Sequence, residues 1–138
     1  MAVRLIIEIN SAATVSAIAN AGYETDECEI LVPLPFAKDN MGLSLKDGKE
    51  ITYIAAGKKE VRFYQMGKVK IRVFTDDKKS EYVEAALLVS ESEEQVVLND
   101  KLVGGLGIIF LNVAEGTWRF SDDPTDKLRE SSAPQLFH

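Results

Sequence analysis

The chain offers few side chains for covalent or metal chemistry. Its one histidine, His138, is the last of 138 residues, and its one cysteine, Cys28, stands among Asp26, Glu27 and Glu29. A serine triad or a histidine-based zinc site would have to be built from a chain end, where order is hardest to hold. Neighbouring carboxylates raise a thiol's pKa, so Cys28 reads as a packed or half-exposed residue and not as a nucleophile. The run Gly104-Gly105-Leu106-Gly107 lacks the lysine and the strand-loop-helix setting of a phosphate loop and reads as a helix end. What remains is Asn20-Ala21-Gly22, at the exit of a strand of small apolar residues and followed by the acidic Glu24, Asp26 and Glu27. An amide in that position can hold a water by donating and accepting hydrogen bonds, but it cannot take the water's proton near neutral pH. The same triplet also makes an ordinary asparagine-bearing turn, because Asn and Gly both tolerate positive φ.

The elements that would position these residues are mostly strands. Residues 3–10 are rich in β-branched side chains, and 14–19 alternate Val15, Ala17 and Ala19 against Thr14, Ser16 and Ile18, so the two pair across a short turn. Residues 29–33 make a third strand with Pro33 at its exit, where a missing N–H does least harm. Residues 35–43 carry proline near the start and Gly42 near the end of a short helix. Strands follow at 50–54 and 60–64 around the hairpin tip Ala55-Ala56-Gly57-Lys58-Lys59, then at 69–74 and 82–90. After the acidic loop 91–94, residues 95–98 lead to a second short helix that Asn99 or Asp100 can cap. A last hairpin joins 108–111 to 117–120, with Trp118 in the core or at an interface. Many short strands and two brief helices predict an all-β barrel or sandwich in residues 1–120. Residues 121–138 read as a polar tail with few anchors, free or clasping a neighbour.

Composition narrows the partners. A formal charge of −6 and clustered carboxylates disfavour nucleic acid and anionic membrane surfaces. Lys58-Lys59 and Lys78-Lys79 read as solvated hairpin tips. No apolar run reaches the roughly 20 residues that cross a bilayer, and Glu8 interrupts the N-terminal segment too early for a signal peptide, which predicts a cytoplasmic protein. The pattern calls for no cofactor and no metal.

In order, these elements resemble the retropepsin-like family of single-lobe aspartic proteases. AIANAGYET falls where that family has Ala-Leu-Ile-Asp-Thr-Gly, and VPLPFAKDNMGL resembles the proline, helix and Leu-Gly-Leu-like stretch that follows. TYIAAGKKEV lies where the family has its flap, KVKIRV matches the next strand, and VVLNDKLVGGLGIIFL resembles the closing Leu-Leu-Gly-Asp-x-Leu segment. The resemblance covers residues 3 to 120 and rests on element order and degenerate motifs. A rival register would put Asn10-Ser11-Ala12 on the catalytic triplet, but it loses both the preceding hairpin and the glycine.

The resemblance implies a retropepsin-like acid-protease barrel, a homodimer in which each chain lends one triplet loop and one flap, and an extended peptide paired with the flap. It also implies chemistry that this chain has changed. Two carboxylates a few ångströms apart share one proton, one acting as base on a water and the other as acid. With Asn20 at the acid's position and Ala21 at the Thr/Ser position, only Gly22 of the triplet persists. In the closing segment Asn99 stands at a usual glycine. The expected protein is therefore protease-like without peptidase activity, its active-site-equivalent loop at Asn20, Ala21 and Gly22 and its peptide contacts at Ala55, Ala56, Gly57 and Lys58. Two alternatives stay open: a peptidase using another carboxylate such as Glu24, Asp26 or Glu27, and a purely structural oligomerisation domain.

Overall fold

A computed structural model gives the fold and describes residues 2–20, 22, 25–54, 57 and 60–138. The strands are β1 (Arg4–Ile9), β2 (Ala13–Ala19), β3 (Glu29–Pro33), β4 (Lys49–Ile54), β5 (Glu60–Val73), β6 (Val83–Ser90), β7 (Val96–Leu98), β8 (Ile108–Asn112) and β9 (Thr117–Phe120). The helices are α1 (Leu34–Met41) and α2 (Asp100–Gly105), with a 3-10 turn at Leu45–Asp47.

Strand order β1-β2-β7-β3-β6-β5, with β5 returning to pair with β1, closes a six-stranded barrel. Closure buries one complete face of the six strands and leaves none of them with a free edge along the barrel. Leu5, Ile7 and Ile9, then Val15, Ala17 and Ala19, then Ile30 and Val32 all point into one core. Val69, Ile71 and Val73, Ala85, Leu87 and Val89, and Val96 and Leu98 complete it from the other strands. β2 runs parallel to β7 and β3 parallel to β6, pairings of remote segments that the sequence reading did not anticipate. The β1–β2 pairing across the short turn is present, with Asn10 and Ser11 both at positive φ, the geometry that suits a twisted hairpin.

Two elements differ from expectation. Residues 60–64 and 69–73 belong to one 14-residue strand, β5, whose pairing with β6 shifts between Gln65 and Lys68, and Phe74 lies just beyond it in an isolated bridge to Lys79. Gly67, at φ 83°, takes the bulge conformation that a side chain would strain. The distal half of β5 pairs with β4, and this hairpin overhangs the barrel: five of the six β4 residues are exposed. α1 begins one residue earlier than expected and ends at Gly42 in the left-handed conformation.

The tail is the second difference, because it is fastened to its own barrel. Trp118 exchanges two backbone hydrogen bonds with Arg129 (2.9 and 2.8 Å), Ser132 N–H donates to Arg4 O, and Phe137 N–H donates to Glu94 O. Gln135 Oε1 accepts from Ser16 N–H, just beyond the point where the three-residue β7 stops pairing with β2. Phe137 packs edge-on against the buried Phe36, ring centroids 5.1 Å apart.

Arg129 is the strongest of these anchors. Its guanidinium donates to both oxygens of Asp77 and both oxygens of Asp123, and it lies 4.9 Å from the Phe120 ring centroid. Lys78, expected at a solvated tip, pairs instead with Asp122 and Asp123. The Arg129 hydrogen bonds hold the carboxyl groups of Asp77 and Asp123 below the usual carboxylate range. A depressed folded-state pKa contributes stability that is present above the unfolded value and is lost as pH falls through the folded one. Arg129→Met is therefore expected to lower the melting temperature at pH 7 by about 5 °C or more, since it strands the nearly buried Asp123 carboxylate. The variant should also lose part of the parent's decline in stability below about pH 4. Melting curves of both proteins from pH 3 to 7 check this; parallel curves would contradict it.

Candidate functional site

Where a sheet is filled on its inner face, apolar residues on the outer face need a separate reason. Three such residues stand side by side across β2, β7 and β3: Ile18 is paired with Val97, and Val97 with Leu31. They form the floor of a cleft of about 640 Å³. Asn20, Gly22 and Thr25 line one side of it, Tyr53, Ile54 and Phe63 of the β4–β5 hairpin line another, and Glu93 completes the lining. The hairpin contribution is apolar and open to solvent: Ile54 is 76% exposed and Tyr53 41%, with the Tyr53 and Phe63 rings 5.4 Å apart.

The loop at the cleft is pinned at both ends. Asn20 N–H donates to Leu98 O (3.0 Å), and the Asn20 carboxamide oxygen accepts from Gly22 N–H (2.9 Å), a side chain satisfying its own backbone two residues on. Neither Asn20 nor Gly22 has positive φ, so these two do not use the left-handed conformation that Asn and Gly tolerate. A Cβ at position 22 would lie 3.2 Å from the Asn20 oxygen, a tight contact that a small shift of the carboxamide would have to relieve.

Behind this loop, Asn99 ties three segments together. The residue is fully buried, and its carboxamide oxygen accepts from Glu29 N–H and Leu102 N–H, both at 3.0 Å. Its amide nitrogen donates to Thr25 Oγ1 and Glu27 O, both at 2.7 Å. Every hydrogen-bonding position of the carboxamide is thus used. The Leu102 bond is the α2 cap expected from the sequence, while the other three hold residues 25–29, and with them the Thr25 wall of the cleft.

Beyond Tyr53 and Thr25 the cleft continues into a second concavity of about 520 Å³, which those two residues line together with Asp26, Glu27 and Glu29. Burial, with Glu29 and Glu27 nearby, pushes the Tyr53 phenol up and keeps it protonated. Cys28 is half-buried, and its thiol is pushed up first by burial and then by Glu27; burial is thus a larger cause than the acidic neighbours that the sequence emphasised.

Of the residues singled out from sequence, Asn20 and Gly22 lie at the cleft. Gly57 sits between β4 and β5 at φ 79° and does not line it. Ala21, Ala55, Ala56 and Lys58 lie outside the described residues, as does Glu24. The rival triplet Asn10-Ser11-Ala12 forms the β1–β2 turn, and the smaller concavity it borders, about 260 Å³, shares no lining residue with the cleft. Sequence reasoning missed Ile18, Leu31, Phe63, Val97 and Glu93; for Ile18 the available signal was an apolar side chain at the outward parity of an otherwise alternating strand, and Glu93, in the loop before β7, carried none. Among the described residues no group of three or more His, Cys, Asp or Glu is placed to hold a metal ion, and no helix is long and apolar enough to cross a membrane. No family model matches the sequence, and none of the curated proteins compared with it matches either.

Proposed function

We propose that this chain is a retropepsin-like barrel in which an amide has replaced the catalytic acid, and that it works as a homodimer by binding extended peptide segments. The observation that carries this reading is one shared concave surface: the Asn20–Gly22 loop and the overhanging β4–β5 hairpin face the same cleft of about 640 Å³. The closed six-stranded barrel supports it, as does the order of loop, hairpin and capped helix along the chain. Chemically, a neutral amide on the cleft wall can hold a water or a peptide carbonyl but cannot act as a base. Binding then depends on backbone pairing with the hairpin and on apolar contact with Ile18, Leu31 and Val97.

The test has two arms. Light scattering should give twice the 15.2 kDa chain mass. Titration with fluorescent peptides of about eight residues should saturate, and Val97→Arg, which sets a long cation on the apolar floor, should weaken binding by about tenfold or more while the protein stays folded. A dimer that binds no peptide would favour a structural oligomerisation domain; a monomer that binds none would remove the proposal.

A further inference from the structure

The cleft's two connected parts differ in chemistry, and the difference bears on what could lie in them. The first has the apolar floor of Ile18, Leu31 and Val97; the second, past Tyr53, is walled by Asp26, Glu27 and Glu29. Glu93 is the one charged residue lining the first part, and no Lys or Arg among the described residues lines either. Asp26, Glu27 and Glu93 are exposed and form no ion pair among the described residues. By contrast, Glu8, Asp77, Asp122 and Asp123 all meet an Arg or Lys. Like charges in one lining repel one another, so the described lining carries a negative potential, with Lys101, which acts on the Cys28 thiol, as a cation near its acidic wall.

We infer that the cleft selects a basic extended segment, placing an apolar side chain on the Ile18–Leu31–Val97 floor and a Lys or Arg side chain against Asp26 and Glu27. This deepens the peptide-binding reading and rests on it. Because the two parts share Thr25 and Tyr53, one strand can reach both, and side chains two apart on an extended chain are spaced by about 7 Å on one face. An apolar residue followed two positions later by a basic one is the pattern that fits. Neighbouring exposed charges favour such a cation modestly and in a salt-dependent way.

Three fluorescein-labelled octapeptides test this, each repeating valine, serine, a test residue and serine, with lysine, glutamine or glutamate as the test residue two positions after each valine. At low salt the lysine probe is expected to bind about five- to tenfold more tightly than the glutamine probe, and the glutamate probe most weakly. At about 0.5 M salt the preference should shrink below about twofold. The double variant Asp26→Asn/Glu27→Gln should remove the preference. Glu115→Gln/Asp126→Asn, which removes the same charge from exposed positions outside the cleft lining, should keep it. Equal binding of the lysine and glutamine probes would overturn the charge selection and leave peptide binding standing. A preference that survives Asp26→Asn/Glu27→Gln would assign it to the whole chain's charge of −6 and also overturn the inference. Failure of all three probes to bind would overturn the peptide-binding reading itself.

Discussion

If the proposed reading holds, Asn20→Asp combined with Ala21→Thr is expected to give a protein that hydrolyses peptides with an acidic optimum. The first substitution is nearly isosteric, and the oxygen that now accepts from Gly22 N–H would be kept as a carboxylate oxygen, for which that hydrogen bond is stronger. In the proposed dimer the two introduced carboxylates would face one another and could not both ionise. One shared proton would make one of them a base toward water and the other an acid toward the peptide carbonyl. Activity should then rise as the first proton leaves and fall as the second does, a bell between about pH 3 and 6 whose two limbs belong to the pair and not to either chain. Restored acid–base catalysis should raise hydrolysis of an internally quenched peptide at least about a hundredfold over the parent. The threonine adds the hydroxyl with which the family ties its two loops together across the dimer. Because the Arg129 clamp weakens toward low pH, a melting curve must accompany each rate. A folded dimer that stays inactive would count against the assigned register. A parent protein already active at acidic pH would instead implicate the carboxylates beside Tyr53, and Glu27→Gln should then abolish that activity.

What could be read from sequence, and what could not, divides along the range of the interactions. β1, β2 and residues 69–73 of β5 were legible because alternation of apolar against polar residues is local and the core enforces it, while β6 was legible as an apolar run without alternation. The break expected at residues 65–68 was misread because Gly67 carries a bulge within a strand as readily as it ends one. The parallel pairings depend on which remote segments meet, and short strands do not encode that locally. The tail looked unanchored because its hold comes from partners far away in sequence: Arg129 meets Asp77 and Gln135 meets Ser16. Asn20 and Gly22, singled out from sequence, line the cleft. The floor was not legible, since Ile18 and Val97 matter only once β2 and β7 are adjacent.

Asn99 shows the same limit and carries the largest expected effect on stability. From sequence it is a helix cap, a role that costs about 1 kcal/mol when lost. In the fold its carboxamide makes four hydrogen bonds at zero exposure, so Asn99→Ala would take that acceptor from the Glu29 and Leu102 N–H groups and leave the Glu27 carbonyl with the Thr25 hydroxyl alone. At about 1 kcal/mol for each lost bond, and more for a buried group left unsatisfied, the expected destabilisation is about 4 kcal/mol. Asn99→Asp separates the contributions. It keeps both accepting interactions but places an oxygen where the amide donated to Thr25 Oγ1 and Glu27 O, and it buries a charge. Burial and the facing carbonyl would raise the folded-state pKa of the new carboxyl above its unfolded value near 4. Its protonated form, which can donate to the Glu27 carbonyl, would then be the one that the fold accepts. The stability deficit of Asn99→Asp relative to the parent should therefore be smallest below about pH 4 and grow as pH rises toward 7, the opposite of the acid sensitivity that Arg129 confers. Urea unfolding of both proteins at matched pH measures the difference directly. A deficit that does not change with pH would mean that the amide's two donated bonds do not hold the Thr25 wall of the cleft in place.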